Sequence, residues 1–148
     1  MIRKLALAAL AALALPFGAS AAPLCTDLGF AGLFAKCNKA DLPPLTISSG
    51  QPLAEAPWAL QSGAYYEVEI VADGSQELTL VGPGFFRAIW IDEIVINDLE
   101  VRPLGLDSLE FDDAGTLELG FIAIKPGQYT LEIAGARGDE QRLRITIQ

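Results

Sequence analysis

The chain contains no histidine, and its single methionine is Met1. Without imidazole there is no Ser-His-Asp triad, no Cys-His pair and no His-ligated zinc. The phosphate loops G-x-x-x-x-G-K-[ST] and G-x-G-x-x-G are missing as well. Cations are scarce: ten Lys and Arg face nineteen Asp and Glu, a formal charge of −9. That balance repels nucleic acid and anionic lipid, keeps a protein soluble, and attracts cations or a basic partner. With 148 residues the chain is long enough for one domain with a real core.

Long apolar runs are absent except at the start, "MIRKLALAALAALALPFGASAAP". Arg3 and Lys4 make a positive head, Leu5 to Leu15 an unbroken apolar stretch, and Ala19-Ser20-Ala21 a small-residue cleavage site. These are the parts of a secretory signal peptide, expected over residues 1–21. The stretch is short for a membrane span, so no span is expected after cleavage, although an uncleaved anchor is the competing reading. No Cys follows it in the place lipid attachment requires. The expected product is an exported, periplasmic protein starting near Ala22. Cleavage would remove Arg3 and Lys4 and leave eight cations against the same nineteen carboxylates.

Cysteine is limited to Cys25 and Cys37. In an oxidising compartment an even pair reads as a disulfide, which contributes about 3 kcal/mol in the chain-entropy model. A pair of thiolate metal ligands is the alternative, but the spacing is not C-x-x-C. Residues 22–44 are expected to form a disulfide-tied N-terminal strap. In it "TDLGFAGLFAKC", with Leu28, Leu33 and Phe34, allows a helical turn or two, and Gly29 and Gly32 forbid a long helix. "DLPPL" then punctuates the chain.

From residue 45 onward the apolar pattern has period two. "AYYEVEIVA" sets Tyr66, Val68 and Ile70 against Tyr65, Glu67 and Glu69, as a strand with one wet face does. "DGS" (73–75) reads as a hairpin turn, with "ELTLVG" returning as the partner strand. "RAIWIDEIVIND" loses its alternation around Glu93–Ile94, which predicts a bulge or corner. Leu117, Leu119 and Phe121 share one face, as do Tyr129, Leu131 and Ile133, and then Leu143, Ile145 and Ile147. The expected fold is an all-β Greek-key sandwich of about seven or eight short strands over residues 45–148.

The closing stretch "FIAIKPGQYTLEIAG…LRITIQ" resembles the final hairpin of the cupredoxins, the blue-copper sandwich family, through Phe121, Pro126, Gly127, Tyr129 and Leu131. The resemblance implies a cupredoxin-like sandwich, but the copper site does not carry over. That site needs a Cys thiolate, two His and a weak axial ligand, often Met. The family's Cys lies four residues after the aromatic; here that position is Ile133, and "AGARGDEQ" after it holds no Cys, His or Met. Acting alone, this chain is therefore expected to bind no type 1 copper and no other cofactor.

Carboxylates remain: Asp92-Glu93, Asp98-Glu100, Asp112-Asp113 and Asp139-Glu140. Paired carboxylates serve hydrolysis or hard cations, yet these sit in turn-like and solvated contexts without a Ca-loop spacing. A non-catalytic module that binds a partner protein or small ligand is the leading expectation, and periplasmic metal handling the alternative. The candidate binding surface is Phe85, Phe86, Arg87 and Trp90 in "GPGFFRAIW", because aromatics and Arg dominate interface hot spots. In a strand, Phe85 and Phe86 would face opposite ways. The competing reading puts both phenylalanines and Trp90 in the core under the strap, and Trp58 in the core with them.

Overall fold

A computed structural model describes Cys25 and residues 32–148. The signal segment, and residues 26–31 of the stretch expected to hold a helical turn or two, lie outside the described residues. The Cys25–Cys37 disulfide is present. After it, a 3-10 turn at Lys36–Asn38 runs into eleven strands: β1 (Lys39–Asp41), β2 (Leu45–Ile47), β3 (Trp58–Leu60), β4 (Tyr65–Ala72), β5 (Leu78–Val81), β6 (Ile89–Ile96), β7 (Leu99–Val101), β8 (Ser108–Phe111), β9 (Gly115–Ala123), β10 (Gly127–Ile133) and β11 (Arg142–Ile147). One helical turn, α1 (Pro83–Phe86), separates β5 from β6.

Two sheets stack as a sandwich. The first has the order β1-β4-β9-β6-β7, with β2 continuing beyond β1 along the same edge of β4; the second runs β3-β11-β10-β5-β8. The period-two residues named above meet between them. Tyr66, Val68, Ile70, Ile91, Leu119 and Phe121 face Leu80, Leu131, Ile133, Leu143, Ile145 and Ile147, with Trp58 and Leu60, in one buried cluster. The expected all-β sandwich is the fold. The strands that went unexpected are β1 and β3, each only three residues long, too short for alternation to register.

Two local expectations are corrected. Asp73–Ser75 is a turn, with the Ser75 N–H donating to Asp73 Oδ1 at 2.8 Å, but it does not close a hairpin. β4 pairs with β9, β1 and β2, whereas β5 pairs with β10 and β8 in the other sheet. Turn chemistry dictates a reversal and leaves open which sheet receives the next strand. The second correction is at "GPGFF". It is not a strand end but a turn of helix: the N–H of Phe86 donates to Gly82 O at 2.9 Å, and that of Arg87 to Pro83 O at 3.2 Å. Pro83 opens it, where a missing N–H costs nothing. The bulge appears where the alternation slips, between Ile91 and Glu93, with Asp92 as the extra residue.

Candidate functional site

The outer face of the first sheet carries three rows of side chains set by strand register. Lys39, Tyr65, Ile122 and Trp90 form the first; Asp41, Glu67, Gly120 and Glu93 the second; Glu69, Glu118, Val95 and Glu100 the third. Asp92, pushed out by the bulge, joins the second row. Arg102, just past β7, reaches back over this ground and pairs with Asp92 (3.1 Å), Glu93 (3.0 Å) and Glu100 (2.9 Å). One guanidinium therefore answers three carboxylates, which hold it even more firmly protonated than usual. Among the described residues Glu118 has no such cation. Partial burial, and then the charges of Glu67, Glu93, Asp41 and Glu69, raise its carboxyl above the ordinary value.

Tyr65 sits at the junction of the first two rows. Its hydroxyl donates to Asp92 Oδ2 at 3.1 Å. Burial and the Asp92 charge push its phenol well above the usual range. Lys39 Nζ lies 4.1 Å from the ring centre and pairs with Glu67 at 3.3 Å. Phe34, from the N-terminal segment, covers the other side: its ring centre is 5.8 Å from Tyr65 and 5.6 Å from Trp90, edge-on to the latter.

Beside this cover lies a cleft of about 310 Å³, lined by Trp90, Ile89, Asp92, Arg102 and Leu104. Trp90 is 48% exposed and Leu104 is fully exposed. Arg87 is free at the surface apart from a 3.5 Å pair with the equally exposed Asp107.

The four residues of the expected binding surface thus divide. Phe85 and Phe86 are corrected: both are core, although Phe86 also forms part of the floor of the Trp90 cleft. Residues one apart on a helical turn differ by about 100° rather than the 180° of a strand, so both rings reach inward. Phe85 meets Trp58, Phe121 and Tyr129, with ring centres 5.5–6.5 Å away. Arg87 and Trp90 stay outside. Trp58 is buried, as its core reading expects. Arg102, Tyr65 and Phe34 are the functional candidates that sequence reasoning missed. The one available signal was Arg102, a scarce cation two residues after Glu100.

The carboxylate pairs also separate. Asp92 and Glu93 join the Arg102 cluster. Asp98 sits in the tight β6–β7 turn with Asn97, both at positive φ. Asp113 Oδ1 accepts its own turn's Ala114 N–H at 2.7 Å. Asp139 pairs with Arg142 (3.5 Å) and Arg144 (3.7 Å). Asp112 groups with Glu77 and Glu110 in an exposed trio whose oxygens lie within 4.8 Å of one another. There a hydrogen bond donated by the protonated Glu110 carboxyl to Glu77, and then the Glu77 charge, raise the Glu110 carboxyl. A wider groove of about 950 Å³ crosses β10 and β11 on the far sheet, and its main charges, Arg142 and Glu132, pair with each other at 2.8 Å.

The position of the family's copper thiolate fails the fit. Ile133 is buried in the core, both cysteines are in the disulfide, and the chain has no imidazole. What the frame does keep is its tyrosine: the Tyr129 hydroxyl donates to Lys125 O at 2.8 Å and closes the Pro126-Gly127 turn.

No family model matches the sequence, and no curated protein matches it. Solved structures do. A bacterial laccase-like multi-copper oxidase, CueO, from Ochrobactrum sp. superposes with a TM-score of 0.55 at 5% identity, over 76% of this chain and 32% of that one. A multi-copper oxidase from Pseudomonas thermotolerans gives 0.51 at 15% identity, over 74% and 30%. The chain therefore spans about a third of the length of these oxidases. At such identities the likeness is one of fold: a cupredoxin-like sandwich.

Proposed function

We propose that this is an exported, non-catalytic cupredoxin-like module that holds a partner protein or small ligand at the Trp90 cleft. One observation carries the reading: a half-exposed tryptophan walls a cleft that also offers an arginine–carboxylate pair and an exposed leucine. Aromatic and Arg side chains in a partly apolar recess are what hot spots are made of. The sandwich lacks the nitrogen and sulfur ligands its fold relatives would need for copper, so the oxidase chemistry of those relatives is not part of the reading. The signal-type leader and the disulfide support the periplasm as the place of action.

The test compares recovery of partners from periplasmic extract by the wild type and by Trp90→Ala/Arg87→Ala. Loss of a specific partner from the double variant is expected, and equal recovery removes the reading. The second reading, metal handling, rests on the Glu77, Glu110 and Asp112 oxygens, which suit a hard cation rather than Cu(I). Titration calorimetry with calcium, zinc and copper decides it; no binding near micromolar ends it.

A further inference from the structure

The β6–β7 hairpin carries a mismatch between pattern and burial. Opposed residues in an antiparallel pair share a face. Ile94 is in the core, so its partner Val101 points to the core side of the sheet, and so do the paired Ile96 and Leu99. Yet Ile96 is 40%, Val101 41% and Leu99 63% exposed. The hairpin leaves a core-side apolar row substantially uncovered.

β7 is also a sheet edge among the described residues. Its closing pair is Ile96/Leu99 across the two-residue Asn97-Asp98 turn. By the ladder's alternation, Glu100 then turns its N–H and C=O away from β6. Two other edges are guarded differently: β8 tucks Leu109 and Phe111 against the core, and β2 follows Pro43-Pro44.

We propose that β7 accepts an extended, cationic segment of a partner protein as an added strand. The two faces specify the segment. Its residues beside Leu99 and Val101 are apolar. The residue beside Glu100 is Lys or Arg, because among the described residues Glu100, Glu93 and Asp92 share the single cation Arg102 and border the acidic rows of the outer face. A second copy fits poorly. Antiparallel self-pairing centred on Glu100 sets carboxylate against carboxylate, and shifting by one residue offers Glu100 an Arg102 already held by three carboxylates. The edge borders the Trp90 cleft through Asp92 and Arg102, but Leu99 and Glu100 test it separately from the Trp90 and Arg87 variants that test the cleft.

The test uses the oxidised full chain, 15N-labelled, and three ten-residue peptides: alternating Val-Lys, alternating Val-Glu, and a scrambled Val/Lys sequence. Expected is saturable binding of the Val-Lys peptide with a Kd below about 1 mM, shifts centred on residues 96–101, and slower exchange of the Glu100 amide. Leu99→Lys and Glu100→Lys, each at an exposed position, should each weaken it about tenfold or more, with the melting temperature held. The Val-Glu peptide should fail. Equal binding of the scrambled peptide, shifts centred elsewhere, or no binding overturns the proposal. So does a Glu100 amide already protected before peptide is added, which means that another part of this chain or a second copy takes the edge; sedimentation distinguishes those two.

Discussion

Tyr65 lies over Gly120, and neither could be what it is without the other. A Cβ at residue 120 would overlap the Tyr65 hydroxyl, so the ring reaches Asp92 only because β9 has a glycine there. Gly120→Ala is expected to cost about 1–3 kcal/mol, as overpacking does. Tyr65→Phe should cost about 1 kcal/mol, the usual worth of a hydrogen bond. Combined, they should cost less than the sum, since the phenylalanine ring removes the atom that clashes. Urea unfolding of the four proteins checks this; strict additivity would mean that the ring has moved elsewhere. The sequence placed Tyr65 on the wet face with Glu67 and Glu69, and the face is right. Its burial was not legible, because alternation reports which side of its own sheet a residue takes, not that Phe34 and Lys39 lie across it.

At the scale of elements, α1 is the device that turns a surface-looking segment inward. The dipeptide Phe85-Phe86 on a strand would have offered one ring to solvent; on a helical turn both pack. Gly82 permits this, because a Cβ there would strike the Leu131 side chain and Thr130 O. Phe85→Ala should lower stability by about 3–5 kcal/mol. Arg87→Ala, two residues on, should change it by less than about 0.5 kcal/mol, since its ion pair is exposed on both sides. Denaturant midpoints measure both, and a large Arg87 effect would place that side chain in the packing. The Asp92 bulge was readable from the slip in alternation; the helical turn was not, being a single turn with no periodicity to show.

Across the whole molecule, charge is unevenly spread. The outer face of the first sheet gathers Asp41, Glu67, Glu69, Asp92, Glu93, Glu100 and Glu118 around Lys39 and Arg102. Composition announced an acidic protein but not that register stacks so many carboxylates on one face. Glu118 reports the crowding. Its carboxyl is raised in the folded state, so the folded form binds more protons than the unfolded one, and this site's contribution to stability falls as pH rises through its folded pKa. Glu118→Gln should therefore melt higher than wild type at pH 7, and the difference should close below about pH 4, where the unfolded carboxyl also holds its proton. A calorimetric series from pH 7 to 3 reads it; a gap constant with pH would assign the effect to something other than charge. Sandwich architecture was legible at this scale, because period two persists from residue 45 to the last strand. Partner choice was not, since β4 and β5 carry the same pattern and enter different sheets.

The position of β11 has a consequence for how the protein is made. Residues 142–147 lie between β10 and β3, and β3 pairs with no other strand among the described residues. Trp58–Leu60 must therefore wait nearly ninety residues of chain for its partner, Ile145–Ile147. Pairing over that separation is slow to close. While the chain is still emerging, the second sheet lacks the inner strand that joins β3 to β10. The second sheet of such a chain is completed only when almost all of it is available, an order that suits a protein threaded through a membrane before it folds.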